Sequence, residues 1–103
     1  MEDYKKIANV NDLNDGEAKK IEFDGKAIAL FKIDGNYFAT DDTCTHEKAS
    51  ISEGEIDGDI VSCPHHGARF DIKTGQALSL PAMFPLKTYQ IKVDGNDIKI
   101  ALE

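Results

Sequence analysis

At 103 residues and 11.3 kDa the chain has room for one domain, and with 41% hydrophobic residues, 30% charged residues and three prolines it is neither disordered nor collagen-like. Twelve basic residues stand against 19 acidic ones, and the net charge of −7 argues against a nucleic-acid or anionic-membrane partner and for a basic one. No apolar run approaches the roughly 20 residues of a membrane span, and Met1-Glu2-Asp3-Tyr4-Lys5 is not a signal-peptide start, so a soluble cytoplasmic protein is expected.

Five Asp-Gly pairs punctuate the chain, at Asp15-Gly16, Asp24-Gly25, Asp34-Gly35, Asp57-Gly58 and Asp94-Gly95. Each is a turn signal, because Gly accepts positive φ and Asp bonds to its own backbone. Strands are expected at Tyr4 to Val10 and Glu17 to Phe23, with one helical turn between Asn11 and Ala18. Ala27 to Ile33 is apolar at almost every position, which predicts a strand covered on both faces, and Asn36 to Thr40 is its hairpin partner. Glu55 to Ser62 reads as a further strand pair. Tyr89, Ile91 and Val93, then Ile98, Ile100 and Leu102, alternate with polar residues across Asp94-Gly95-Asn96-Asp97, predicting a hairpin with one buried face. The architecture is therefore all-β, a small antiparallel sandwich or barrel. The alternation lapses from Asp41 to Glu53 and from Cys63 to Pro85, and both cysteines, all three histidines and all three prolines lie between positions 44 and 85. Irregular loops on a regular base are where function concentrates.

Two segments carry the chemistry: Cys44-Thr45-His46 and Cys63-Pro64-His65-His66-Gly67, with 16 residues between His46 and Cys63. Each offers a thiolate and an imidazole that one loop can aim at one point, so the two loops together can face a metal. A nucleophilic thiol with a histidine base needs only one such pair. A disulfide between Cys44 and Cys63 is disfavoured in a reducing compartment. Tetrahedral zinc takes two Cys and two His readily, but its motifs usually pair like with like. A binuclear [2Fe–2S] centre with two Cys on one iron and two His on the other suits the mixed order.

The arrangement C-x-H, 16 residues, C-x-x-H resembles the signature of Rieske [2Fe–2S] ferredoxins. The resemblance extends to the flanking strands, to Thr74-Gly75 after Phe70-Asp71, and to Leu80-Pro81-Ala82 where the family has a proline loop over the cluster. It implies one [2Fe–2S] cluster per chain, with Cys44 and Cys63 on the inner iron, His46 and His66 on the outer iron nearer solvent, and His65 a bystander. It also implies a single domain, residues 1–103, in which a cluster-binding subdomain of two metal-binding loops, about 41–85, is inserted in a β base formed by 1–40 and 86–103. High-potential respiratory members carry an extra Cys in each loop, where this chain has Ala49 and His65, and a Ser and a Tyr where it has Ala68 and Phe70. Lacking that disulfide and those hydroxyl donors, the cluster is expected near the low end of the Rieske range, about −150 mV. Lys48 replaces a Gly common in the first loop.

No G-x-G-x-x-G is present, and the chain is too short for the mononuclear iron domain of a Rieske oxygenase. The resemblance thus implies no enzyme but a monomeric one-electron carrier between a flavin-dependent reductase and a terminal oxygenase, similar to the ferredoxin components of aromatic-ring dioxygenase systems. The small Rieske subunit of an assimilatory nitrite reductase is the alternative, and a structural zinc module a third reading. From Asp41 to Asp59, Asp41, Asp42, Glu47, Glu53, Glu55, Asp57 and Asp59 stand against Lys48 alone, so nearly all of the net charge lies in that segment. They are expected to face a basic partner, or else to serve only solubility.

Overall fold

The Asp34-Gly35 step shows how the sequence sets the fold. Both residues have positive φ, 51° and 80°, the two-residue turn whose twist matches that of the strands it joins. It connects β3 (Lys26–Ile33) to β4 (Asn36–Asp41), with Ile33 opposite Asn36. The structure is a computed structural model that describes residues 4–23, 25–43, 50–64, 69–78 and 85–101. Around that hairpin lie β1 (Tyr4–Asn9), β2 (Glu17–Phe23), β8 (Thr88–Asp94) and β9 (Asp97–Ala101), which with β3 and β4 form one antiparallel sheet in the order β1-β9-β8-β4-β3-β2. A second, three-stranded antiparallel sheet comprises β5 (Glu55–Asp57), β6 (Ile60–Ser62) and β7 (Arg69–Asp71), in chain order. No α-helix occurs among the described residues, and none of their helices is long and apolar enough to cross a membrane.

The large sheet turns a corner. Ile28 and Leu30 on β3 pack with Ala8 on β1 and Ile98 and Ile100 on β9, although β9 lies three strands from β3 in the order of the sheet. A flat sheet would hold those strands about 14 Å apart. Those residues are buried in a cluster drawn from the strands of this same sheet and Leu13, so the sheet curves over its own face; β4 and β8 pair only through Ala39↔Tyr89 and Thr40↔Thr88.

β3 is the wall between two cores, as its continuous apolar run predicts. Ile28, Ala29, Leu30 and Phe31 are each 0% exposed. Ile28 and Leu30 face the core inside the folded sheet. Ala29, Phe31 and Ile33 face the other way, onto Ile51, Val61, Cys63, Phe70, Ile72 and Leu86. This second core holds the three-stranded sheet against the large one, so the position of Cys63 depends on β3. Phe31→Ala should cost about 3–5 kcal/mol, a large share of the roughly 5–15 kcal/mol available to a small domain. Urea unfolding measures it, and a loss below about 1 kcal/mol would show that the two sheets do not depend on this ring.

Some details differ from the sequence reading. The helical turn starts earlier, as a 3-10 turn at Val10–Asp12, because Asn9 and Asp12 cap it reciprocally: the Asn9 side chain accepts from Asn11 N, and Asp12 accepts from Asn9 N. Burial fades toward the turn of the β8–β9 hairpin on β8 alone, from Tyr89 at 7% to Val93 at 46% exposed, while Ile98 opposite Val93 on β9 stays fully buried. The strand β7 and a 3-10 turn at Ile51–Glu53 stand where the sequence suggested only irregular chain.

Candidate metal centre

Three segments of the chain are rooted on or beside the small sheet, two of them closed near its Ser62–Arg69 end and the third leaving from that end. The first, 44–49, is closed by an antiparallel bridge between Thr43 and Ser50. The second, 65–68, leaves after Cys63-Pro64 at the end of β6 and returns in β7, closed by the pair Ser62↔Arg69. The third, 79–84, follows Leu78, whose N–H donates to Arg69 O at 2.8 Å, and ends before Leu86, whose N–H donates to Gly75 O at 2.7 Å. Gly54 packs so tightly on Ser62 that a Cβ there would lie 1.8 Å from the Ser62 carbonyl oxygen. Gly75, at φ +78°, similarly leaves no room for a Cβ beside Leu86 O. The ends of the first two segments and the start of the third are thereby joined through Ser50, Gly54, Ser62, Arg69 and Leu78.

Of the residues expected to bind metal, Cys63 is described; Cys44, His46 and His66 lie outside the described residues, as do His65, Lys48, Ala49, Ala68 and Leu80-Pro81-Ala82. Cys63 is 2% exposed and packs in the core with Phe31, Val61 and Phe70. A bound iron would supply the positive charge that a buried thiolate needs. The position fits an inner cluster ligand, and Pro64 beside it is exposed. Phe70, where high-potential relatives place a tyrosine, is 0% exposed.

The acidic segment is not one surface, which corrects the expectation that all its carboxylates face a partner. Asp42 is 2% exposed. Its Oδ1 accepts from Ser52 N at 2.8 Å, its Oδ2 from Ser50 Oγ at 2.5 Å, and its carbonyl from Ile51 N at 2.6 Å. Asp41 accepts from the Tyr89 hydroxyl at 2.5 Å. Burial, with this carboxylate beside it, pushes the Tyr89 hydroxyl far above its ordinary value, so it remains a donor at all ordinary pH. Asp59 pairs with Lys73 at 3.4 Å. Glu53, Glu55 and Asp57 remain exposed. Glu55 and Asp57 share one face of β5, the edge strand of the small sheet, with Ile56 between them on the other face.

Comparison with known proteins gives this geometry its context. A family model described as the Rieske [2Fe-2S] domain matches residues 3–90. The 3-phenylpropionate/cinnamic acid dioxygenase ferredoxin subunit of Photorhabdus laumondii is 52% identical over 92 residues, covering 87% of each chain. Among solved structures, the ferredoxin of Sphingomonas yanoikuyae B1 superimposes with a TM-score of 0.93 at 34% identity, over 98% of this chain and 100% of that one. The ferredoxin in a complex of reduced oxygenase and oxidised ferredoxin of carbazole 1,9a-dioxygenase gives 0.91 at 32% identity, over 98% and 94%. A protein assigned as the small subunit of an NADPH nitrite reductase gives 0.82 at 29% identity, over 95% and 97%. A buried thiol at the end of β6, three chain segments rooted beside it and this breadth of likeness have one explanation: the chain belongs to the Rieske [2Fe–2S] domain family, as a ferredoxin-type electron carrier with one cluster per chain.

Proposed function

We propose that this ferredoxin carries single electrons from a flavin-dependent reductase to the terminal oxygenase of an aromatic-ring dioxygenase system. The observation that carries the reading is the likeness, over nearly the whole chain, to dioxygenase ferredoxin subunits, including one captured with its oxygenase. The cluster, when bound, accepts one electron and releases it again. Cys44 and Cys63 hold its inner iron, and His46 and His66 its outer one. Residues 41–85 form the cluster-binding subdomain and 1–40 with 86–103 the β base of a single domain, which acts as a monomer in the cytoplasm.

Docking on this reading uses the carboxylates that remain outward, Glu53, Glu55 and Asp57, against a basic partner surface. Charges at that range are screened within about 10 Å at 0.1 M salt, so the second-order rate of reoxidation by the oxygenase should fall as salt rises. Glu55→Lys and Asp57→Lys should slow association severalfold while leaving the visible spectrum and midpoint unchanged. Stopped-flow mixing at several ionic strengths checks this, and a rate indifferent to salt would assign those residues to solubility alone. The likeness to a nitrite reductase small subunit supports a second reading. Reoxidation by a sirohaem nitrite reductase large subunit, with none by the oxygenase, would replace the first reading with the second.

A further inference from the structure

Asp42 is a buried carboxylate whose bonds all serve one place. Its N–H donates to Ala27 O at 3.0 Å, which ties it to the first residues of β3. Its carbonyl and both carboxylate oxygens then take three donors from Ser50, Ile51 and Ser52. Ser50 Oγ also lies 3.0 Å from Ser52 Oγ, which extends the network by one hydroxyl. The stretch of chain gripped in this way, from Thr43 to Ser50, is the one that carries Cys44 and His46.

A carboxylate is an acceptor only, and bonds to an ionised acceptor are about twice as strong as neutral ones. Its desolvation is compensated here by a hydroxyl and an amide, and among the described residues no Lys or Arg pairs with it. Asn could meet the same partners, its Oδ1 accepting from Ser52 N and its Nδ2 donating to Ser50 Oγ, so the clamp alone does not demand the charge. Asp42 stands two residues before Cys44, and with Cys44 as a ligand a fixed negative charge so near in the chain disfavours the added electron.

We propose that Asp42 is the positioning residue of the first ligand loop: its carboxylate clamps both ends of the segment bearing Cys44 and His46, and its buried charge holds the reduction potential down. The inference rests on those two residues being ligands, so Cys44→Ser serves as a separate control. That variant losing its cluster upholds the ligand set, and its keeping the cluster removes the basis of the proposal.

The test compares Asp42→Asn, Asp42→Ala and Ser50→Ala after anaerobic reconstitution, reading iron per chain, the electron paramagnetic resonance spectrum of the reduced protein, the midpoint potential and far-ultraviolet circular dichroism. Asp42→Asn keeps an amide oxygen for Ser52 N and should bind iron as the parent does, with the midpoint shifted upward. Asp42→Ala should lose iron severalfold, and Ser50→Ala should keep the cluster with a shifted resonance spectrum. An unchanged midpoint in Asp42→Asn overturns the charge role. Full iron with the parental resonance spectrum in a folded Asp42→Ala overturns the clamp, and should that variant not fold, the same spectrum in Ser50→Ala overturns it.

Discussion

Cys63→Ser should give a colourless protein with almost no iron. Iron in such a centre is held by a thiolate, and a serine hydroxyl, far less acidic, does not replace it at neutral pH. The substitution has a second cost independent of metal. Cys63 sits at 2% exposure beside Phe31, Val61 and Phe70, and a hydroxyl is costlier to desolvate there than a thiol. Cys63→Ala separates the two effects, since it keeps the site apolar and removes only the ligand. It should also lack visible absorption while remaining folded, with reduced thermal stability because metal binding and folding are coupled. Retention of the parental visible spectrum by Cys63→Ala would exclude Cys63 as a ligand.

Much of this architecture is legible in the sequence where local signals and burial agree. The hairpin β3–β4 follows from Asp34-Gly35 and from an apolar run that has to be covered twice, and the two cores on either side of β3 are the physical content of that run. Cys63 is singled out by its motif, and the structure buries it just after β6. What escaped lies where an element is too short to show a period: Arg69–Asp71 has a single inward residue, Phe70, and three residues cannot display an alternation. Asp42 was misread for a different reason. A sequence shows charge but not which side of a chain the charge takes, and Asp42 looked like one more member of an acidic run. The available signal was Ser50-Ile51-Ser52, two hydroxyl residues and their amides beyond the Cys44-Thr45-His46 segment, which are suited to a carboxylate. The roots of the third segment escaped as well, since Gly75 meets Leu86 across residues that sequence alone does not bring together.

Gly54→Ala should be among the most damaging single substitutions in the chain although it adds one methyl group. The backbone of Gly54 is extended, with φ −79° and ψ 173°, so any residue could adopt it, and the requirement is one of space. The new Cβ would stand 1.8 Å from Ser62 O and 3.2 Å from Ile51 O. Both obstacles are backbone atoms, which cannot turn aside as a side chain would. Ser62 is held on both sides, opposite Glu55 and opposite Arg69, and it immediately precedes Cys63. Relief of the clash has to move β6 or the turn at Ile51–Glu53, and either movement reaches the roots of the candidate ligand loops. The expected loss is at the upper end of the range for overpacking, about 3 kcal/mol, together with severalfold lower iron incorporation. Gly58→Ala, in the turn of the same hairpin, is the control. A Cβ there meets nothing within 4 Å, though φ is +62°, so it should carry only the left-handed backbone cost of about 1–2 kcal/mol and bind iron fully. Thermal unfolding and iron content of the two variants measured together decide the matter. Equal stability and equal iron in both would show that the approach of Gly54 to Ser62 does not position the metal centre.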